Sequence, residues 1–505
     1  MVLAISCLVL ACTGIVQLEP DPINPVDPGV NPNPNPNPDP DPNPDPDPNP
    51  DPDPDPDPDP DPDRIEAEDG TLTGIAIKQD RAGFSGQGYV DGFDANQDSL
   101  ELAIEVRTSG LYLLSIAYAA PLGKKVCDLY ANGKFVQGVS LEPSERFVET
   151  AGIRIFLKAG PNVIRIGKGW GWFEIDYLVL VLASTPPLSV ENALVNPAAS
   201  DKTKALMAYL VKSYGKQILS GQQDLSQADW LFAQIGKRPA VLGLDMMDYS
   251  PSRVERGTTS DAAERAIEWW KAGGIVAFCW HWNAPTGLID QPGGREWYKG
   301  FNTNASTFDI ARAMANPLSE DYKLLERDID AIAEQLIKLR DAGVPVLWRP
   351  LHEAEGGWFW WGAKGAEACK KLYRLLYDRL TRVHKLNNLI WVWTSTDTRN
   401  AVAWYPGDQV VDVIGTDVYA PGPGSHDSLA GLFYNLVSIY GGRKLIALTE
   451  NDAIPDIEAA IEQRAGWAWF CTWGGFIRDG QYNPAAFLET VYNHTYVLTM
   501  DELPP

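Results

Sequence analysis

VPVLWRPLHEAEGGWFWWG, residues 344–362, is the stretch on which the fold turns. It opens as a short apolar run, Val344 to Trp348, of the length and composition of one buried strand. Immediately upstream is a helical pattern. Ser319 stands as an N-cap before Glu320 and Asp321, apolar residues recur at Leu325, Ile329, Ile332, Leu336 and Leu339, and Gly343 closes the helix. A helix that feeds at once into a buried strand is one unit of an alternating α/β fold. Beyond the strand comes the polar pair His352-Glu353. Four consecutive aromatics follow, Trp358, Phe359, Trp360 and Trp361. Flat rings stack on pyranose faces, and a carboxyl beside them acts on a glycosidic oxygen. The segment points to polysaccharide hydrolysis.

Seven further apolar runs share this pattern, giving eight strand candidates: QILSGQ from 217, PAVLGLD from 239, GIVAFCWH from 274, VPVLWRP from 344, LIWVW from 389, VVDVIGTD from 410, KLIALTE from 444 and GWAWFCTW from 466. Helical stretches separate many of them. Eight such units over residues 191–505 predict a (β/α)8 TIM barrel. An open doubly wound sheet is the competing arrangement, but no Gly-rich phosphate loop follows the first strand. In a barrel, catalytic groups collect where strands end. Here the ends carry Asp245 and Asp248, His281-Trp282-Asn283, His352-Glu353, Asp417 and Tyr419, Glu450, and Trp473. Two carboxyls on facing strands suit glycoside hydrolysis, and Glu353 with Glu450 is the candidate pair. Glu355 is a decoy for the first of these. Glu353 is preferred because it directly follows the strand-end histidine. A His-Glu pair also opens the zincin motif, yet the second histidine that motif needs is replaced by Gly356. No G-x-S-x-G elbow is present for serine catalysis.

The 505 residues carry a formal charge of −25, which excludes a nucleic-acid partner. Part of that charge is local. From Pro20 to Asp63 proline alternates with Asp or Asn, which forbids helix and sheet and predicts a stiff, extended spacer (domain boundaries 19–63). Residues 1–18 begin with the apolar MVLAISCLVLA before Cys12. This reads as a signal segment resembling a lipoprotein processing site, with Cys12 as the lipid anchor or, as the alternative, a plain signal peptide cut nearby, and an extracellular or cell-surface location. The remaining cysteines, Cys127, Cys279, Cys369 and Cys471, lack metal-ligand spacing and read as buried thiols, with one disulfide as the alternative.

Residues 64–183 read as a β-sandwich: alternation through 99–108, a strand at 111–119, an Asn132-Gly133 hairpin turn, and strands GIRIFL, NVIRIG and FEIDYLVLVLA. Residues 184–190 form a linker. The sandwich ends in IEAEDG (65–70) and GWGWFEIDYLVL (169–180), which resemble family 35 carbohydrate-binding modules. That resemblance implies a structural calcium held by Glu66, Glu68 and Asp176, with two solvated glutamates and a sheet-end aspartate as the plain alternative. It also implies a sugar-stacking platform at Trp170 or Trp172, with core packing as the alternative there.

The segments 348–362, 447–452 (ALTEND), 416–422 (TDVYAPG) and 280–283 (WHWN) together resemble glycoside hydrolase family 26, mostly β-mannanases. By that resemblance the chain is a retaining endo-β-1,4-mannanase acting on plant mannan, glucomannan or galactomannan without a catalytic cofactor. Glu353 is then the acid/base and Glu450 the nucleophile, and Tyr419 hydrogen-bonds the nucleophile. His281 and His352 shape the −1 subsite, Trp473 forms its floor, and Trp358 stacks near the leaving-group sugar. Mixed-linkage β-glucanase and β-1,3-xylanase activities belong to the same family and stay open. A non-catalytic polysaccharide-capture protein is the alternative outside enzymes. A monomer is expected.

Overall fold

The computed structural model describes residues 64–396, 401–420, 423 and 426–504. The proposed signal segment with Cys12 and the Pro/Asp spacer lie outside the described residues. No described helix is long and apolar enough to cross a membrane.

Eight parallel strands close a barrel: Gly221–Gln223, Val241–Asp245, Ile275–Cys279, Val346–Arg349, Leu389–Ser395, Val413–Val418, Leu445–Asn451 and Phe470–Thr472. Gln222 opposite Thr472 joins the last strand to the first. Each of the eight apolar runs supplies one strand, so the open-sheet alternative falls away. Strands such as Leu389–Ser395 and Leu445–Asn451 are buried at every position. Side chains fill the inside of such a barrel and helices cover its outside. The helix before strand four spans Glu320–Asp341. The Ser319 hydroxyl accepts from Tyr322 N at its start, and all five stripe residues from Leu325 to Leu339 are fully buried. Gly343, at φ 71°, sits in the left-handed region just beyond its end. The first apolar run is interrupted. Ile218–Leu219 pairs with Val497–Leu498 in a separate two-stranded parallel sheet before the chain enters the barrel.

The N-terminal domain is two antiparallel sheets packed face to face. One sheet runs Ile153–Leu157, Gly110–Ala120, Glu174–Leu182, Tyr89–Asp91 and Ala76–Lys78, with Arg64–Glu66 and Ser144–Glu149 attached. The other runs Thr71–Thr73, Ser99–Val106, Gly160–Trp170, Lys125–Ala131 and Lys134–Leu141. Ser99–Val106 alternates buried and exposed along most of its length, as a strand with one wet face must. Asn132 and Gly133 both take positive φ and turn the hairpin. Sequence reading missed the three-residue strands, which are too short to display a period, and the half-wet Ser144–Glu149. The four cysteines of this domain and the barrel are buried, and none of the four is in a disulfide.

The sandwich is seated on the barrel. Helix Ala430–Ile439 is buried on nearly every face, and part of that burial is against the strand Ile153–Leu157. Arg154 N donates to Asn435 Oδ1 at 3.3 Å, and Asn435 Nδ2 donates to Gln137 Oε1 at 3.4 Å. Lys158–Glu462 (2.9 Å) and Lys134–Asp456 (3.6 Å) pair at the rim. The linker is also tied down, with Ser189 N donating to Gly442 O at 2.8 Å. Gly431 is the tightest point: a Cβ there would lie 1.9 Å from the Arg154 carbonyl oxygen. Gly431→Ala must therefore push the domains apart. It should cost about 1–3 kcal/mol, the usual penalty for overpacking, and raise hydrogen exchange along Ile153–Leu157. Unchanged melting together with unchanged protection would refute this account of the seam.

Candidate active site

Strand four delivers Glu353 through an unusual backbone. Leu351 and Glu353 both adopt left-handed conformations, with φ 53° and 54°, which cost non-glycine residues energy and mark sites where side-chain direction matters. Glu353 N donates to Thr394 O at 3.3 Å, and Trp361 Nε1 donates to His352 O at 2.9 Å. Phe359, Trp360 and Trp361 are buried and hold this loop, whereas Trp358 is 45% exposed. Trp358 Nε1 donates to Glu353 Oε2 at 2.9 Å. Trp358 is itself pinned from the strand-three loop, where Thr303 N donates to Trp358 O and Thr303 Oγ1 to Gly357 O, both at 2.7 Å. Glu355 turns away and accepts from the Thr396 hydroxyl at 3.0 Å.

Strand seven delivers Glu450 by a β-bulge. Thr416 pairs with Leu448 but Asp417 pairs with Glu450, so Thr449 is an extra residue, and such an insertion re-aims the next side chain. Thr449 Oγ1 donates to Asp417 Oδ1 at 2.6 Å. Arg349, the last residue of strand four, donates to Asp417 Oδ2 at 2.8 Å and also to Glu450 Oε1. Tyr419 OH donates to Glu450 Oε2 at 2.5 Å. Carboxylate oxygens of Glu353, Asp417 and Glu450 lie within 4.8 Å of one another.

The two glutamates sit in opposite surroundings. Burial, reinforced by the nearby charge of Glu450, pushes Glu353 up to about 7. Glu450 instead has a guanidinium and a phenol on its two oxygens. On the other flank, His281 Nδ1 lies 2.6 Å from Asp245 Oδ2, and its Nε2 lies 3.2 Å from His352 Nε2. Burial opposes charge on His281, but Asp245 outweighs it and the pKa is raised. Burial first, then Arg349 and His281, hold His352 well below the usual histidine range. His281 is therefore the donor between the two rings and His352 the acceptor. The Trp473 ring centre lies 5.7 Å from that of His281.

In the sandwich, Trp170 and Trp172 are 64% and 57% exposed, which removes core packing as their role. Gly169 and Gly171, both at positive φ, turn the chain beside them. Glu66, Glu68 and Asp176 converge on one loop: the Ser85 hydroxyl donates to Glu66, Ser85 N to Asp176 and Gln87 N to Glu68. Burial, with the charges of Glu66 and Glu68 adding to it, pushes Asp176 up to about 7. Glu68 Oε2 is buried without a hydrogen-bond partner. Three carboxylates thus meet one loop, with one of their oxygens orphaned, and hard oxygen donors are the ligand type that calcium takes.

Glu353, Asp417, Tyr419, Glu450, Asp245, His281, His352 and Trp473 are thus brought together by contacts at the strand ends, whereas Asp248 pairs with Arg253, and the buried Trp282 and Asn283 bond Asp328 and Ser252. Reading alone missed the parts that connect them. Arg349 looked like the tail of an apolar strand, Thr449 gave no sign of a bulge, and Thr303 acts from a distant loop. Asp245 was visible as a strand-end carboxylate, though its bond to His281 was not.

A closed (β/α)8 barrel with paired carboxyls at the ends of strands four and seven has the form of a glycoside hydrolase. Residues 195–502 match the model of glycosyl hydrolase family 26, and the chain belongs to that family. Residues 63–183 match the carbohydrate binding module of family 35. A mannan endo-1,4-β-mannosidase of Thermothelomyces thermophilus is 46% identical over 442 residues, covering 87% of this chain and 90% of that protein. Mannan endo-1,4-β-mannosidase B of Piromyces sp is 35% identical, covering 87% and 77%. The crystal structure of the Podospora anserina GH26-CBM35 β-(1,4)-mannanase superposes with a TM-score of 0.62 at 47% identity, covering 87% of this chain and 98% of that one.

The Trp358 hydrogen bond favours the ionised form of Glu353, so Trp358→Phe should raise its pKa while keeping a ring. A group that must be protonated loses activity as pH rises through its pKa. The alkaline limb of kcat/KM, expected near 7, should move to higher pH in the variant. A limb that stays put or moves down would remove Glu353 from that role.

Proposed function

We propose that the chain is a retaining endo-β-1,4-mannanase that hydrolyses mannan, glucomannan or galactomannan by double displacement. The observation that carries the mechanism is the close carboxyl pair, within 4.8 Å at the nearest oxygens. Retaining enzymes hold their carboxyls at about 5–5.5 Å, whereas inverting ones leave about 6.5–9.5 Å for a water. Glu450, ionised between Arg349 and Tyr419, attacks the anomeric carbon. Glu353, protonated, donates to the departing glycosidic oxygen. The glycosyl-Glu450 ester is then hydrolysed by a water that Glu353, now ionised, deprotonates. Tyr419 orients the nucleophile. His281, His352 and Trp473 wall the −1 subsite, and Trp358 stacks the leaving-group sugar while setting the Glu353 carboxyl. The mannan substrate is supported by the names of the relatives above, together with the aromatic-lined cleft.

Glu450→Ala should bring turnover to background while leaving polysaccharide binding measurable in affinity electrophoresis. Glu353→Ala should lose roughly 10²–10⁴-fold in kcat, the usual worth of a general acid. A Glu450→Ala variant that stays active would overturn the nucleophile assignment, whereas a parent protein that binds mannan but releases no sugar would favour the capture-protein reading. Reducing-sugar release should be strong on glucomannan and galactomannan and weak on lichenan and β-1,3-xylan. Activity on lichenan with none on mannan would overturn the substrate assignment.

The same proposal includes mannan stacking on Trp170 or Trp172 and a structural calcium on Glu66, Glu68 and Asp176. The ion would neutralise three crowded carboxylates that otherwise repel one another, and so clip the two ends of the sandwich together. Chelator should lower the melting temperature of the sandwich, with added calcium restoring it. A transition indifferent to chelator would leave those carboxylates a purely hydrogen-bonded cluster.

A further inference from the structure

Barrel strands two and three end side by side, with Asp245 opposite Cys279 in the ladder. The chain then places His281 two residues further on. A carboxylate oxygen of Asp245, Sγ of Cys279 and a ring nitrogen of His281 lie within 4.8 Å of one another. His281 Nδ1 is 2.6 Å from Asp245 Oδ2 and 3.9 Å from Cys279 Sγ. The side chains of Asp245 and His281 are 19% and 12% exposed, so the cluster opens on the cleft while the thiol closes its inner side. The hydrolytic mechanism leaves Cys279 without a role.

We propose that Asp245, Cys279 and His281 form an inhibitory binding site for a borderline or soft divalent cation of the Zn2+ or Cu2+ type. The donor set is the mixed thiolate, imidazole and carboxylate that selects such ions over magnesium or calcium. Bond lengths of about 2.0–2.3 Å around a tetrahedral ion separate its ligand atoms by roughly 3.3–3.6 Å. The Asp245–His281 contact must therefore open by less than about 1 Å, and Cys279 must close on His281 by a few tenths. The ion takes the place of the proton between Asp245 and His281, and the thiol gives up its own. Two protons leave, three protein bonds to the ion form, and a water from the cleft completes the fourth position. His281 keeps its Nε2 hydrogen directed at His352, the outer hydrogen bond that fixes a metal-bound imidazole. Inhibition follows because the ion breaks the Asp245–His281 bond that sets the ring beside Trp473.

The test uses the full chain in chelator-free buffer, with mannan hydrolysis titrated against ZnCl2 or CuCl2. Cys279→Ser and Cys279→Ala should retain basal turnover and require at least about tenfold more metal for half-inhibition, since even outer partners of a metal ligand are worth about 10–100-fold in affinity. A second readout is independent of activity. Co2+ added to the parent protein should produce a near-ultraviolet thiolate-to-metal charge-transfer band that is missing in Cys279→Ser. The site is refuted if the parent protein is not inhibited, if both variants are as sensitive as the parent, or if the parent shows no band. The site rests on the hydrolase reading only for its kinetic arm. A protein without mannanase activity that still gave the Cys279-dependent band would keep the metal site and lose the proposed function.

Discussion

Three carboxylates and one cation share the centre of the barrel mouth, and the way Arg349 is divided among them governs the rest. Its guanidinium is buried and reaches Asp417 and Glu450 but makes no hydrogen bond to Glu353. Charges removed from water are tolerated only where partners and hydrogen bonds replace the lost solvation. Glu450 receives both. Glu353 receives a single indole N–H, so it is the carboxyl that holds a proton near neutrality. Burial pushes Asp417 upward as well, with Arg349 pulling against it. The more Asp417 is quenched, the more of the guanidinium is left for Glu450. The two glutamates are thus distinguished by wiring, since their side chains are chemically identical.

That wiring depends on backbone irregularities at both strand ends. A regular strand seven would set Thr449 opposite Asp417 and turn Glu450 to the other face of the sheet. The bulge shifts the register by one residue and also aims the Thr449 hydroxyl at Asp417. Across the barrel, left-handed Leu351 and Glu353 flank His352. Their strain is held by packing: the buried Phe359, Trp360 and Trp361 close over the loop, and Trp361 bonds the His352 carbonyl. The aromatic run therefore has two physical duties, and only its first ring faces solvent to a large extent.

The division between what was legible and what was not follows from range. Burial pattern and polar strand ends are local, so all eight barrel strands and the residues at their mouths could be read from one sequence. Glu353 could be preferred over Glu355 because position relative to a strand end is also local. A bulge is defined by its partner strand, and an apolar run gives no hint of it. Arg349 was hidden by its company: in Trp348-Arg349-Pro350 it looked like a boundary residue, and only closure of the barrel brings it to Asp417, 68 residues on. The three-residue strands of the sandwich, and the parallel pair of Ile218–Leu219 with Val497–Leu498, exist through their partners alone.

The seam between the two domains bears on how binding and hydrolysis combine. Tethered modules gain from effective concentration, and that gain depends on how freely the tether lets the second site be found. Here there is little freedom to average over. The linker is hydrogen-bonded to the barrel, helix Ala430–Ile439 is buried against a sheet strand, and Gly431 leaves no room for one extra methyl group. The exposed rings at Trp170 and Trp172 are consequently held at a set place relative to the cleft. A polysaccharide bound there can gain from the enzyme only along the paths that this one geometry allows. With sugar on the Trp170 or Trp172 ring as proposed, preference among mannans would depend on the seam as well as on the cleft, because a branch tolerated at either place must also fit the path between them.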